Sequence, residues 1–190
     1  EAHAGPTPMD IRVDALQNSL NIMQKVVAIA NEFKPHGRGT VGMVQVFPNS
    51  RNVIPGRVQF SIDIRHPDSV ILEKMTAILK DYIAQVSSEK SIAIDLKEVS
   101  YFPPCNFDSK CVDTIRQVAI DLGYSQMDVV SGAGHDAIYM NRLAPTGMIF
   151  IPCKDGVSHN EIEDAKAEHI EAGANVLLHS MLAFAKPVNH

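Results

Sequence analysis

Apolar residues recur at alternating steps of four and three after the two prolines near the start of the chain: Leu16, Leu20, Met23, Val27 and Ala30. This spacing predicts one apolar stripe on a helix over about residues 10–33. Gly37 and Gly39 then interrupt the pattern, so the helix is expected to end before them.

Two strands are predicted next. TVGMVQVF (residues 40–47) is rich in β-branched and apolar residues, and RVQFSIDIR (residues 57–65) alternates apolar and polar positions. The FPNSRNVIPG segment between them contains proline, asparagine and glycine, which suit a connection between antiparallel strands.

A second helix is expected to begin at Asp68, a favourable N-cap residue, and to carry four residues inward: Ile71, Met75, Ile78 and Tyr82. SIAIDLKEV (residues 91–99) alternates again and predicts a third strand. The order helix, strand, strand, helix, strand predicts an open-faced α/β sandwich that lacks only a first strand. We expect that strand to precede Glu1, which would make the chain a truncated one.

The YFPPCNF segment (residues 101–107) predicts a boundary, because Pro103 and Pro104 cannot continue a sheet. A helix is then expected to end at Gly123, and TGMIFIPC (residues 146–153) reads as a buried parallel strand. A final helix that stops before Pro187 carries one stripe: Ile170, Ala174, Leu177, Met181 and Phe184. These elements predict part of an α/β layer.

Composition excludes several classes of protein. With 190 residues and a net charge of −5, the chain can bury a core and has no basic stripe, which argues against nucleic-acid binding. No apolar run is long enough to span a bilayer. Three cysteines at irregular spacing argue against a disulfide framework and suit a reducing cytosol, so a cytoplasmic location is expected.

Two histidines lie in segments that follow predicted strands, where α/β folds place their sites. SGAGHDA (residues 131–137) comes after a short apolar stretch at residues 128–130 and carries His135 at its tip. KDGVSHNEIE (residues 154–163) comes after TGMIFIPC and carries His159, a suitable zinc or manganese ligand. Glu161 or Glu163 could orient the ring of His159. The alternatives are a tight turn with an exposed histidine and a histidine on a surface loop.

The first part of the chain offers three more candidates. His3 lies in the glycine- and proline-bounded EAHAGPTPM segment, and Asn52 precedes Val-Ile-Pro. Arg65 shares the polar face of its strand with Asp63, so it either forms a surface ion pair or clamps a carboxylate with two hydrogen bonds. His169 and His179 on the last helix are expected to be structural or solvated, and no role is assigned to His36, His66 and His190.

Four segments in this order resemble the M20 metallopeptidase-like amidohydrolases: HAGPTPMDIRVDAL, NVIPGRVQFSIDIR, SGAGHDA and MIFIPCKDGVSHNEIE. Within that family they look like the branch of N-carbamoyl-L-amino acid hydrolases, β-ureidopropionases and allantoate amidohydrolases. The resemblance extends over essentially the whole chain, and any one segment alone would carry little weight.

The resemblance implies a ferredoxin-like α+β sandwich lid and dimerisation domain over residues 1–101, followed by the C-terminal part of an α/β zinc-peptidase-like catalytic domain over residues 102–190. It implies a homodimer formed through the lid, and two divalent metal ions, zinc or manganese. His159 would supply one metal ligand, and the other ligands and the general base would belong to a missing N-terminal part of the catalytic domain.

The same resemblance implies the roles of the remaining candidates. His3 would bind substrate and stabilise the oxyanion, while Asn52 and Arg65 would bind the carboxylate of a small-molecule substrate. The substrate pocket would also include Gly134, His135 and Ser158. A hairpin turn and one strand are expected to bring Asn52 and Arg65 within reach of one small anion. The implied reaction is hydrolysis of a linear amide or ureido C–N bond by a metal-bound water.

Two alternatives remain open. The chain could be a catalytically silent dimerisation fragment, and it is expected to be inactive when isolated from the missing metal ligands. It could also belong to an M20 aminoacylase or dipeptidase, which the NVIPGRVQFSIDIR and SGAGHDA segments favour less.

Overall fold

The structure is a computed structural model that describes residues 1–185. The chain divides into two compact units, Glu1–Pro104 and a second unit that begins at Cys105, so the division falls inside the YFPPCNF segment. No helix among the described residues is both long enough and apolar enough to cross a bilayer.

The first unit contains four strands and two helices. In chain order these are β1 (Ala2–His3), α1 (Ala15–Glu32), β2 (Arg38–Phe47), β3 (Val53–Ile54), β4 (Arg57–Arg65) and α2 (Ser69–Lys90). A 3₁₀ turn, Met9–Ile11, precedes α1.

Both helices begin where an aspartate caps them. The Asp14 carboxylate accepts from the backbone N–H groups of Leu16 and Gln17, so α1 begins at Ala15 rather than near residue 10 as predicted. Asp68 caps α2 in the same way, by accepting from Val70 and Ile71, and this prediction is confirmed.

β2 and β4 form an antiparallel hairpin, as predicted, with Phe47 opposite Arg57 and Arg38 opposite Arg65. A register shift lies between Val41 and Val44. The exposure of β4 alternates strictly, so its apolar residues share one half-buried face: Val58, Phe60, Ile62 and Ile64. β1 and β3 form a second, two-residue antiparallel pair.

The core of the first unit lies where α1 and α2 pack against each other and against the apolar face of the hairpin. Its buried apolar residues come from both helices: Ile22, Val26, Ile29, Ala30, Met75, Leu79, Ile83 and Val86. The predicted stripe of α1 is therefore confirmed at Ala30 but wrong at Leu20 and Val27, which are exposed. In α2, Met75 is fully buried as predicted, whereas Ile78 and Tyr82 only border the core.

The predicted strand over residues 91–99 is wrong. No strand is assigned there, although Ile92 and Ile94 alternate in exposure with their neighbours and Ile94 packs against the core. A strand is defined by hydrogen bonds to a neighbour, and this segment has no ladder partner among the described residues. The mixed α/β character is present, while the specific ferredoxin-like sandwich stays a prediction.

The second unit contains α3 (Ser109–Asp121), α4 (Ala137–Met140) and α5 (Ala167–Phe184), with a 3₁₀ turn at Lys154–Gly156. α3 is followed by Gly123 in the left-handed region at φ 77°, as expected just past a helix end. α3 and α5 pack against each other.

Two predictions in this unit are wrong. TGMIFIPC is half-buried for the most part and forms no strand, because it too lacks a ladder partner within residues 1–185. The apolar stripe of α5 is exposed at Ile170, Leu177 and Met181. The packed face instead includes Val176 and Gly173, where a Cβ would lie 2.6 Å from Ile151 Cγ2.

Candidate functional site

His3 is held beside the Asn52 turn by strand pairing. In the β1–β3 pair, His3 lies opposite Val53, and the pairing continues as Ala4 N–H donates to the Asn52 carbonyl at 2.8 Å. The sequence predicted a turn at His3, and the structure adds that this turn leaves directly from a strand. His3 and Asn52, which are 49 positions apart in the chain (52 − 3), therefore lie on adjacent segments.

The ring of His3 is fixed by a short-range hydrogen bond. The Gly5 backbone N–H donates to His3 Nδ1 at 3.1 Å. Because Nδ1 accepts, the neutral ring carries its proton on Nε2. Gly5 is closely fitted, since a Cβ there would lie 3.3 Å from His3 Cε1. The exposed His3 ring thus offers an N–H donor at Nε2.

The turn after His3 is braced by Arg12. Its guanidinium donates to the Ala4 carbonyl and, through two nitrogens, to the Thr7 carbonyl at 3.0 and 2.8 Å. The Thr7 hydroxyl in turn donates to the His3 carbonyl at 2.7 Å. The sequence did not identify Gly5 and Arg12 as functional residues. The only indication in the sequence was that both lie close to His3 in the chain.

The Asn52 side chain uses its oxygen in a hydrogen bond within its own turn. The Ser50 hydroxyl donates to Asn52 Oδ1 at 2.9 Å. Asn52 Nδ2 has no hydrogen-bond partner within the part of the chain that the structure describes. It is therefore an exposed donor on the segment next to His3.

Arg65 forms the ion pair that was one of its two predicted roles. Its Nε donates to Asp63 Oδ1 at 2.8 Å and its Nη2 to Asp63 Oδ2 at 2.5 Å, with both side chains about half exposed. These hydrogen bonds raise the pKa of Arg65 and lower the pKa of Asp63 below its ordinary value of 3.8. A substrate carboxylate at Arg65 would have to compete with Asp63 or share the guanidinium with it.

Within one chain, Asn52 and Arg65 lie at opposite ends of the hairpin, so the expectation that they reach one small anion is wrong. Asn52 precedes the Arg57 end of β4, and Arg65 ends the strand. A rise of about 3.3 Å per residue separates the two ends of β4 by about 26 Å.

The packing of α1 shows independently that the two ends of the hairpin are far apart. Pro55 accepts a hydrogen bond from Ala15 N–H at the start of α1. Gly39, which faces Ile64 across the hairpin, instead packs against Ala30 near the other end of that helix. At 1.5 Å per residue, these two helix positions are about 22 Å apart.

In the second unit, the SGAGHDA segment forms an irregular loop that leads into α4. His135 is half-buried, with its Nε2 2.8 Å from Ser131 Oγ and its ring edge-on to Phe150 at a centroid distance of 5.4 Å. Gly134 is exposed, and a Cβ there would contact nothing within 4 Å. Ser131 was not singled out from the sequence, although it stands four residues from His135.

His159 lies in an exposed loop and adopts the left-handed region at φ 56°, which is uncommon for a residue other than glycine. Glu163 Oε2 accepts from the His159 backbone N–H at 2.9 Å. The prediction that Glu163 orients the ring is therefore corrected, since the carboxylate holds the backbone. Ser158 is exposed beside it.

The described residues do not by themselves fit a two-metal centre. No three His, Cys, Asp or Glu side chains within residues 1–185 lie close enough together to hold a metal ion. His159 is the predicted ligand, and one imidazole falls well short of the four ligands of a typical zinc site.

The chain resembles known proteins over almost all of its length. The family model for peptidase family M20/M25/M40 matches residues 18–183. An N-carbamoyl-L-amino-acid amidohydrolase of Rhizobium meliloti is 45% identical over 99% of this chain and 45% of its own length. An allantoate amidohydrolase of Bacillus subtilis (strain 168) is 37% identical over 92% of this chain and 42% of its own length.

A solved structure supports the same family relationship. The crystal structure of an amidase of the hydantoinase/carbamoylase family from Burkholderia multivorans has a TM-score of 0.94 and 52% identity, covering 98% of this chain and 46% of the amidase. The chain thus spans a little under half the length of the relatives that it matches. By the extent of the family match, the chain belongs to peptidase family M20/M25/M40.

Proposed function

We propose that this chain is part of an amidohydrolase that cleaves the linear amide or ureido C–N bond of N-carbamoyl amino acids or allantoate-like substrates. The names of the two curated relatives support this substrate class. In this proposal residues of the first unit bind and polarise the substrate, and residues of the second unit have substrate-binding and metal-binding roles.

The observation that carries the proposal is the state of His3. Its Nδ1 accepts from Gly5 N–H, so Nε2–H is the donor that the exposed ring presents. When water adds to a carbonyl carbon, negative charge develops on the carbonyl oxygen. A preorganised N–H donor at that oxygen stabilises the tetrahedral species more than the substrate.

Asn52 and Arg65 complete the substrate-binding set of the first unit. Asn52 Nδ2 lies on the segment next to His3 and can donate to the same substrate. Arg65 would bind the substrate carboxylate through a guanidinium fork. Because about 26 Å of strand separates the two ends of β4, His3 and Arg65 of one chain would serve two different substrate molecules.

A homodimer through the first unit fits that separation, because a dimer has two pockets. β2 has one edge without a ladder partner in the described part of the chain, and its Met43 and Val44 are exposed. An unpaired edge with apolar side chains favours association with a second copy. Sedimentation of the chain, compared with that of its Val44→Lys variant, would test this association.

In the second unit we assign a metal-binding role to His159 and a substrate-binding role to Gly134, His135 and Ser158. The uncommon φ of His159 supports a functional position, because such conformations concentrate at sites where the surrounding structure holds them. The remaining ligands for the implied zinc or manganese ions would have to come from outside the described residues.

The test is hydrolysis by the polypeptide that carries this chain, supplied with zinc or manganese. N-carbamoyl-L-amino acids and allantoate are compared with N-acetyl amino acids and dipeptides, and the ureido substrates are expected to be preferred. His3→Ala should lower kcat by about 100- to 1000-fold, the usual cost of one oxyanion donor.

His66→Ala is the matched control, because His66 Nδ1 also accepts from the backbone N–H two residues later, that of Asp68, at 3.0 Å. Its kcat should stay within about twofold of the parent. Preference for acetyl or peptide substrates would assign an aminoacylase or dipeptidase instead. A dimer that hydrolyses none of these substrates would indicate the silent dimerisation fragment.

A further inference from the structure

The loop that carries His135 leaves open space at Gly134, where a Cβ would meet nothing within 4 Å. The loop is anchored at its end, where Ile138 N–H donates to the His135 carbonyl at 3.0 Å. The ring itself makes the contacts that bear on its orientation.

Two such contacts are present. Phe150 packs against the ring at a centroid distance of 5.4 Å and an interplanar angle of 65°. Ser131 Oγ lies 2.8 Å from Nε2. The phenylalanine limits the tilt of the ring but cannot distinguish its two nitrogens, whereas the hydroxyl contacts only one of them.

The other bond of Ser131 favours one direction for the Ser131–His135 bond. The Ala133 backbone N–H donates to Ser131 Oγ at 3.2 Å, so one of the two lone pairs of the hydroxyl is already used. If Nε2–H also donated to Oγ, the hydroxyl proton would have no partner among the described residues, whereas donation of that proton to Nε2 gives every one of these groups a partner. Nε2 then accepts, and the neutral ring carries its own proton on Nδ1.

We propose that Ser131 is a positioning residue that holds neutral His135 in the Nδ1–H form and so presents Nδ1–H as a donor to the substrate. The substrate part rests on the proposed function, whereas the tautomer does not. His3 and His135 would then show their donors on opposite ring nitrogens, Nε2 in the first case and Nδ1 in the second, each selected by a bond made within four residues.

The experiment is ¹⁵N NMR of the histidine ring nitrogens of the 190-residue chain above the titration range of histidine. His135→Asn assigns the resonances. The parent chain should show a protonated Nδ1 and an unprotonated Nε2 for His135. Ser131→Ala should move the populations toward Nε2–H, the form that an isolated imidazole side chain favours, and Ser131→Thr should restore the parent pattern.

Ser125→Ala is the matched control, since Ser125 is an exposed serine of the same unit. It should leave the His135 signals unchanged, and unchanged amide spectra establish that each variant folds. An Nε2–H majority in the parent, or a tautomer that does not respond to Ser131→Ala, would overturn the proposal.

Activity provides a separate readout on the polypeptide that carries this chain. Ser131→Ala should lower kcat/KM by about tenfold, the size of one net hydrogen bond, and Ser131→Thr should recover most of it. If the tautomer responds but the polypeptide hydrolyses no ureido substrate, the proposed function fails while the role of Ser131 in positioning the ring stands.

Discussion

Gly39 allows β2 to approach α1 closely, and replacing it with alanine should destabilise the first unit. A Cβ at Gly39 would lie 2.7 Å from the Val26 carbonyl oxygen and 3.0 Å from Ala30 Cβ. The oxygen belongs to the helix backbone and cannot rotate away. Gly42, three residues further along the same strand, would instead place its Cβ 3.7 Å from the nearest atom, Ser61 Oγ, which is an ordinary contact.

These distances give a magnitude for each variant. Overpacking of a close contact costs about 1–3 kcal/mol, and removing a glycine from a strand interior recovers about 0.5–1 kcal/mol. Gly39→Ala should therefore lower the free energy of unfolding by about 1–2 kcal/mol. Gly42→Ala should leave it unchanged or raise it by up to about 1 kcal/mol.

Native-state hydrogen exchange of the amides in α1 and β2 is the appropriate assay, because it follows the first unit separately from the second. The sequence contains no tryptophan whose fluorescence could report on unfolding. The reasoning is refuted if Gly39→Ala is as stable as Gly42→Ala. Since Gly39 faces Ile64 in the hairpin, any shift of β2 should also reach the neighbouring Arg65.

Two further perturbations test the core and the Arg65 ion pair. Met75→Ala should cost about 2–5 kcal/mol in a denaturation experiment, since Met75 is fully buried between α1 and the hairpin and its truncation leaves a cavity. Asp63→Asn should cost less than about 1 kcal/mol at neutral pH, because the pair is half exposed. The pKa of Asp63 is lowered below 3.8 when folded, so the difference between parent and variant should be fully present above that pH and disappear as the pH falls through the lower folded value.

The sequence predicted β4 and the start of α2 well, for physical reasons that are local. β4 has one half-buried face, which imposes a strict period of two on its residues. The Asp68 cap satisfies two backbone N–H groups that would otherwise lack partners. Both signals lie within a few residues, and the partner that β4 needs, β2, is joined to it by a short connection.

The misplaced stripe of α1 and the absent strand at 91–99 show where sequence reasoning fails. α1 carries apolar residues at both Val26 and Val27, so its sequence supports two neighbouring stripes, and only packing against α2 selects the one through Val26. Residues 91–99 have the alternation of a strand, but a ladder also requires a neighbouring strand. In both cases the outcome depends on an element outside the segment itself.

In the candidate site, too, some features are set by nearby residues and others by residues far away in the sequence. That His3 and Asn52 are neighbours depends on pairing between segments 49 positions apart, and the separation of Arg65 from them depends on the length of β4. The ring state of His3, however, follows from its bond to Gly5, two residues away, and the ring state that we propose for His135 follows from its bond to Ser131, four residues away. Residue types alone identified these histidines as candidates without indicating which nitrogen carries the proton. The short-range hydrogen bonds supply that information, and it determines whether each ring can donate to a developing oxyanion or substrate oxygen.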